Sequence, residues 1–343
     1  MKIAISGYYG FGNAGDEAIL EAIRSGLAET HPDSKISILG AGHRFDLKMI
    51  ADCDLLISGG GGLLQDKTSV RSFLYYISII LTAKLLSKKV YVFAQGIGPI
   101  TKWYDRFLLK RIMNLVDLIT VRDIDSFNYL KSLKLKNPKI IETADPTFIL
   151  PPEIGPNAKK LLQLEGVQLN KRPLIGVAIR KIGENDPDKI ILAKALDELI
   201  IEARAQIIFL PFQFPQDVET SREIMKMMKE KATLIFRECQ PREIMGLISW
   251  TDLIIGMRLH SLIFAVNCGI PAVGLSYDPK VQSFMEEVSL PHFPSDSFSS
   301  NELVSAVSEL LANREGVINN LKSVRRKLVS KAMTNFGMIN LLK

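Results

Sequence analysis

The hydrophobic positions of this chain follow two alternating patterns. Short runs that are apolar at most positions, Ile3–Ser6, Lys35–Leu39, Leu55–Ser58, Val90–Ala94, Leu118–Val121 and Lys139–Thr143, predict strands packed on both faces. Between them apolar residues recur three and four apart. In Asp16–Glu29, for example, Ala18, Ile19, Ala22, Ile23 and Leu27 share one helical face. Phe73–Ala83 is too short for the ~20 apolar residues of a membrane span and reads either as a core helix or as one that also faces lipid at the bilayer surface. Strand and helix in strict alternation predict a parallel sheet with helices on both sides. The loops after the strands carry Gly7–Gly15, Gly59–Gly62, Gln95-Gly-Ile-Gly-Pro, Arg122-Asp123 and Asp145-Pro146, on the edge where open α/β sheets bind ligands.

A second series of the same kind follows a break. Between Pro146 and Pro173 the chain turns to Pro151-Pro152, Gly155-Pro156 and a polar run around Leu169-Asn-Lys-Arg, which marks a domain boundary. Strands are then expected at Leu174–Ile179, ending in Arg180, and at Ile207–Leu210, Leu234–Phe236, Asp252–Ile255 and Ala272–Leu275. After them come a helical run Val281–Val288, a loop Pro291–Pro294 and helices over Asn301–Ala312 and Glu315–Thr334. The expected fold is α/β, with two Rossmann-like doubly wound domains facing across a cleft. The first covers 1–150, a linker 151–172, the second domain 173–314, and a basic helix 315–343 packs back on the first domain.

Charge and cysteine content narrow the chemistry. A net charge of +6 over 343 residues is a mild excess that fits an anionic substrate or a membrane surface. No concentrated basic tract with interleaved aromatics supports nucleic-acid binding, so nucleic acid is not an expected partner. Cys53, Cys239 and Cys268 lie far apart with no CxxC, and His31, His43, His260 and His292 form no cluster, so neither a disulfide framework nor a metal site is expected. The opening Met-Lys-Ile-Ala-Ile-Ser-Gly reads directly as a strand rather than a leader, which places the expected protein in the cytoplasm.

Two stretches carry candidate chemistry. Gly10-Phe-Gly12-Asn-Ala-Gly15 spells G-x-G-x-x-G before a helix, but the second strand, Lys35–Leu39, runs into Gly40-Ala-Gly-His-Arg without the acidic residue of a dinucleotide site. What remains is a place where a ligand can approach backbone N–H groups, with the Asn13 amide beside them and Asp16 and Glu17 as helix-terminus residues. The second stretch is Thr251–Lys280. Its strand, a helix Ser261–Asn267 closed by Gly269, and its next strand form one βαβ unit. The loops bearing Arg258 and His260 and bearing Lys280 therefore open on one edge: fixed cations beside a helix start suit an anion, and imidazole moves a proton near neutrality.

The runs Met257-Arg-Leu-His-Ser261, Gly269-Ile-Pro and Ser276-Tyr-Asp-Pro-Lys280, with the opening Gly7-Tyr-Tyr-Gly-Phe-Gly-Asn-Ala-Gly-Asp-Glu17, resemble the polysaccharide pyruvyl transferase family, close to its CsaB branch. The resemblance covers essentially the whole chain and implies a GT-B-like architecture. It implies transfer of pyruvate from phosphoenolpyruvate to a sugar of a lipid-linked cell-wall glycan precursor as a cyclic ketal, with release of phosphate and no cofactor or metal. Carried over, it assigns donor binding to Arg258, Lys280 and Arg180, catalysis to His260 as general acid and to Arg122, and the acceptor to Gly12, Asn13, Gly60 and Gly61. Gly59–Gly62 reads equally as a crowded turn, and the base among Asp66, Asp123, Asp145 and Asp278 stays open. A lipid-linked acceptor further implies peripheral binding at the inner face of the membrane, for which the helix with Lys322, Arg325, Arg326, Lys327 and Lys331 is the expected contact. Two other readings fit the same plan: a sugar-nucleotide glycosyltransferase or epimerase, and a carbohydrate-binding protein without catalysis.

Overall fold

The computed structural model describes residues 1–42, 45–67, 69–152, 156–169, 172–181 and 187–342. His43, Arg44, Gly155, Asn170 and Lys171 of the runs noted above lie outside them. The chain divides into two compact units. Unit 1 comprises Met1–Phe11, Asp16–Leu150 and Lys327–Lys343; unit 2 comprises Gly12–Gly15 and Pro151–Arg326.

Unit 1 contains β1 (Lys2–Ser6), most of α1 (Ala14–Thr30), β2 (Lys35–Leu39), α2 (Leu47–Asp52), β3 (Leu55–Ser58), β4 (Gly61–Leu64), α3 (Val70–Leu85), β5 (Lys89–Ile97), α4 (Trp103–Met113), β6 (Leu118–Val121), α5 (Ile124–Ser132) and β7 (Lys139–Glu142). Its strands are parallel in the order β2-β1-β3-β5-β6-β7, with β4 paired to β5. Two apolar layers cover the sheet. One holds Ile3, Ile5, Ile19, Ile23, Tyr91 and Phe93 with Phe336 and Ile339 of the chain's end; the other holds Phe73, Ile77, Ile80, Leu109 and Ile112. Buried Asn335 fastens that end further, its side-chain amide donating to Ala144 O at 3.2 Å and its carbonyl accepting from Thr143 Oγ1 at 2.9 Å.

Unit 2 contains α6 (Pro156–Leu164), β8 (Leu174–Ala178), α7 (Pro187–Glu202), β9 (Gln206–Phe209), α8 (Gln216–Met227), β10 (Thr233–Leu234), α9 (Pro241–Ile248), β11 (Leu253–Gly256), α10 (Leu259–Cys268), β12 (Ala272–Ser276), α11 (Pro279–Glu287), β13 (His292–Pro294), α12 (Ser300–Ala312) and α13 (Arg314–Gly337) as far as Arg326. The parallel order is β10-β9-β8-β11-β12-β13. The strand order therefore reverses between β1 and β3 in unit 1 and between β8 and β11 in unit 2, the two places where such sheets open a crevice at their carboxyl edge.

Three sequence expectations change. Gly61–Leu64 is a strand rather than a turn, pairing Gly61 with Gln95 and Leu64 with Ile97, although glycine carries no strand signal of its own. His292–Pro294, expected as loop, adds a short edge strand to β12. A basic tract with interleaved aromatics does exist: Lys102-Trp-Tyr-Asp-Arg-Phe-Leu-Leu-Lys-Arg111, at and along α4, with its charges diluted by two leucines and an aspartate that turn inward. Among the described residues no helix is long and apolar enough to cross a membrane.

Candidate functional site

In unit 2 the switch point gathers four of the basic or titratable residues named above. Arg258 stands at the N-cap of α10, two residues beyond β11, and its backbone O accepts the Ser261 hydroxyl at 2.6 Å. Gly256 must lack a side chain, because a β-carbon there would lie 2.5 Å from Ser261 Oγ. At the far end Gly269, in the left-handed region at φ 73°, closes α10 as a C-cap.

The Arg258 guanidinium is gripped by Asp217 in the first turn of α8. Nε donates to Oδ2 at 3.1 Å and Nη2 to Oδ1 at 2.5 Å. Asp217 is wholly buried and accepts two further bonds, from the amides of Phe212 and Gln213 at 3.1 and 2.8 Å. Its charge is thus matched on every side, and it holds Arg258 in one orientation with a fifth of the arginine side chain accessible. Asp217 takes the Nε and Nη2 edge of the guanidinium, so both Nη1 hydrogens and the second Nη2 hydrogen are not used by that pair.

His260 lies in the first turn of the same helix, its ring 6.2 Å from that of Phe264. It presses on Gly15. A β-carbon on Gly15 would lie 2.1 Å from His260 Nδ1, so the last glycine of the G-x-G-x-x-G run makes room for an imidazole rather than for a dinucleotide. The run Gly12–Gly15 is sewn into unit 2 by Phe214 N donating to Gly12 O at 3.0 Å, by Ala14 N donating to Phe212 O at 2.8 Å and by a bridge between Asn13 and Gln213. Asn13 Oδ1 accepts from Gly15 N at 3.0 Å, and Gly12 is left-handed at φ 69°. Flanking loops bring the other cations. Arg180, after β8, stacks at 4.0 Å over Tyr277, which follows β12, and Asp278 caps α11 by accepting from Lys280 N at 3.0 Å.

Unit 1 presents a different edge. Arg122, after β6, is buried with 9% of its surface exposed; Nη1 donates to Asp145 Oδ2 at 2.8 Å, with Asp123 Oδ2 3.8 Å from Nε. Its guanidinium covers Gly96, where a β-carbon would come within 3.0 Å of Nε. Gly61 is left-handed at φ 87°, and a β-carbon on Gly60 would reach Ile19 at 3.0 Å. Around these glycines stand neutral groups that sequence reasoning passed over. Ser6 Oγ, Tyr9 Oη and Gln95 Oε1 are buried without a hydrogen-bond partner among the described residues, while Gln95 Nε2 donates to Gly61 O at 3.0 Å. Burial, with the charge of Asp16 adding to it, holds the Tyr9 phenol well above its ordinary pKa, so it is a neutral donor.

The four carboxylates considered as a base all serve helix starts. Asp123 caps α5 through Ser126 N, Asp145 caps the 3₁₀ turn Pro146–Ile149, Asp278 caps α11, and Asp66 accepts from Thr101 N and Lys102 N ahead of α4. Among the described residues no group of three or more His, Cys, Asp or Glu side chains could hold a metal ion. Asp217 was missed by sequence reading; the acidic first turn of α8 after a Phe-Gln-Phe-Pro loop was the available signal.

Known proteins share the sequence pattern and the fold of this chain. The family model described as polysaccharide pyruvyl transferase matches residues 13–279. The amylovoran biosynthesis protein AmsJ of Erwinia amylovora is 23% identical over 283 residues, 77% of this chain and 67% of that protein. Among solved structures, the MnaA–UDP complex of S. aureus superposes with a TM-score of 0.67 at 12% identity, covering 99% of this chain and 94% of that one. The Methanocaldococcus jannaschii UDP-GlcNAc 2-epimerase in complex with UDP-GlcNAc and UDP gives 0.64 at 14%, covering 100% and 99%. At such identities the structures share a fold, the GT-B-type pair of parallel-sheet α/β domains.

Proposed function

This chain belongs to the polysaccharide pyruvyl transferase family, a family of polysaccharide modification, and from that premise we propose that it transfers pyruvate from phosphoenolpyruvate to a sugar as a cyclic ketal. The observation that carries the reading is the imidazole of His260 beside an arginine fixed by a buried carboxylate at the switch point of unit 2. The donor has a carboxylate and a phosphate, and Arg258, Arg180 and Lys280 come from three neighbouring strand ends to complement that charge.

In this reading His260 gives its proton to the donor's C3 methylene. C2 becomes electron-poor, and a sugar hydroxyl attacks it and forms the first C–O bond. The proton of that hydroxyl passes to a base, the C2–O bond to phosphate breaks with its electron pair leaving on phosphate, and the second hydroxyl closes the ring and loses its own proton. Phosphoenolpyruvate and a diol thereby yield a ketal and inorganic phosphate in balance. On unit 1 we assign the acceptor to the run of Gly60 and Gly61, which Gln95 holds by donating to Gly61 O. Arg122 is assigned a positioning role, tying the loop after β6 to Asp145. The acceptor is a lipid-linked glycan precursor at the inner face of the membrane in this proposal, and the carboxylates in caps leave the base to the phosphate or to water.

The test is release of inorganic phosphate from phosphoenolpyruvate with a lipid-linked disaccharide present. Release that depends on the acceptor, with a pyruvate ketal found on the sugar by mass spectrometry, is the expected result. Consumption of a UDP-sugar with no reaction of phosphoenolpyruvate would instead make the chain an epimerase or glycosyltransferase.

A further inference from the structure

We propose that α4 is a docking face for the anionic surface of a lipid bilayer. Large apolar side chains are normally scattered singly over a protein surface, and here three sit on one helix and point outward. Trp103 is 79% exposed, Phe107 54% and Tyr104 46%. Asp105, Leu109, Ile112 and Met113 form the opposite, buried side and join the core of unit 1. The outward side also carries Arg106, Lys110 and Arg111, with Lys102 at the N-cap, while the one acid of the helix, Asp105, faces inward.

Positions 103, 106, 107, 110 and 111 recur at helical spacing, so aromatics and cations share a single stripe. Arg111 lies 4.9 Å from the Phe107 ring centroid and Lys102 5.7 Å from that of Tyr104, which keeps the charged ends beside the rings. Tryptophan and tyrosine favour the headgroup level of a bilayer, and a basic helix with an exposed apolar stripe lies in that interface. A single-stranded polyanion would need a groove in which its bases could stack, and a convex helix face provides none.

The bilayer contact therefore moves from the closing helix, where it was expected, to α4. In α13 the apolar residues Leu321, Leu328, Ala332 and Phe336 are buried, Arg325 donates to Asn267 at 2.9 Å and Lys331 pairs with Glu142. The start of α4 is anchored at the sheet edge of unit 1, where Asp66, two residues past β4, accepts from Thr101 N and Lys102 N at 2.8 and 3.0 Å. The end of the docking face that bears Lys102 and Trp103 thus lies near the edge that carries Gly60 and Gly61. The proposal rests on reading the acceptor as membrane-borne.

Flotation with vesicles of phosphatidylcholine, alone or with phosphatidylglycerol, tests it. The full chain should float with the anionic vesicles at low salt and lose that binding as salt rises. Trp103→Ala/Phe107→Ala and Arg106→Glu/Lys110→Glu/Arg111→Glu should each reduce partitioning by about tenfold or more, whereas Arg326→Glu/Lys327→Glu should not. In a Trp250→Phe background, vesicles should shift the fluorescence of Trp103 to the blue. Because all the altered α4 side chains are exposed, phosphate release with a water-soluble acceptor analogue should be retained by those variants. Equal flotation of wild type and α4 variants would overturn the proposal, as would binding of a single-stranded oligonucleotide without binding of vesicles. Failure of wild type to act on the soluble acceptor would instead count against the proposed reaction and leave the docking face standing.

Discussion

Each unit contains an arginine at a strand end paired with an aspartate, and the two pairs are built for different ends. In unit 1 Arg122 and Asp145 are both buried, with Nη1 donating to Oδ2 at 2.8 Å. In unit 2 Asp217 is the more deeply buried partner, takes two bonds from Arg258 and two from backbone amides, and leaves part of the arginine accessible. The first arrangement closes an interior. The second fixes a cation in place at an edge, as a site for an anion requires, because a guanidinium held by one face loses little further freedom when the other meets a ligand. The surroundings differ in the same sense: neutral Ser6, Tyr9 and Gln95 with glycine backbone in unit 1, and Arg180, His260 and Lys280 in unit 2. A polyol suits the one and a multiply charged enol phosphate the other.

The largest effect is expected where the comparison is chemical. His260→Ala should lower turnover by ~10²–10⁴, the usual loss on removing a general acid, and leave binding of phosphoenolpyruvate within a few-fold of wild type. Initial rates beside calorimetric titration separate the two. Loss of donor affinity with little change in rate at saturation would make His260 part of the anion site and remove the proton donor from this edge.

Next in size is a paired experiment on the two aspartates. Breaking a buried pair from one side typically costs ~3–5 kcal/mol, because the partner is left charged in a dry interior. Asp217→Asn and Asp145→Asn should both lose stability of that order in denaturant titrations. Only Asp217→Asn should also weaken donor binding, since it loosens Arg258. Equal weakening by Asp145→Asn would erase the distinction between the pairs.

These contrasts were unevenly legible in the amino-acid sequence. The unit around Arg258 could be read because its strands are apolar throughout and Gly269 ends its helix where the pattern stops. The role of Gly15 could not, since the imidazole that excludes a side chain there belongs to His260, far along the chain. Asp217 is likewise 41 residues from Arg258, a distance only the fold closes. Strand β4 exists through its ladder to β5 and not through propensity, so from sequence Gly59–Gly62 reads as readily as a crowded turn. The face on α4 was overlooked for a simpler reason: a linear count of charges does not reveal that Asp105, Leu109 and Ile112 turn inward and leave the basic and aromatic residues together outside.

The smallest expected effect bears on whether the acids of the unit 1 edge are architectural. Asp105 is buried, and burial, then the charge of Asp66 and a hydrogen bond with it, raises its carboxyl above the ordinary range. For Asp66 burial also pushes upward, but the amides of Thr101 and Lys102 and the Thr101 hydroxyl outweigh it and hold that carboxyl below the ordinary range. A raised carboxyl opposes folding when it is ionised, and the penalty fades as pH falls through its folded value; a depressed one stabilises at neutral pH and loses that contribution on acidification. Asp105→Asn should therefore raise the melting temperature modestly near neutral pH, with the gain over wild type shrinking toward nothing at about pH 3, where Asp105 is protonated in the folded chain and largely so in the unfolded one. The contribution of Asp66 falls away in both proteins and does not create the difference. Calorimetric melts across that pH range, beside phosphate release at neutral pH, decide the matter. A stability gain without a change in rate would keep the Asp66–Asp105 pair among the supports of α4. A fall in rate despite the gain would mean that an ionised Asp105 acts in the reaction, and that unit 1 contributes charge as well as shape.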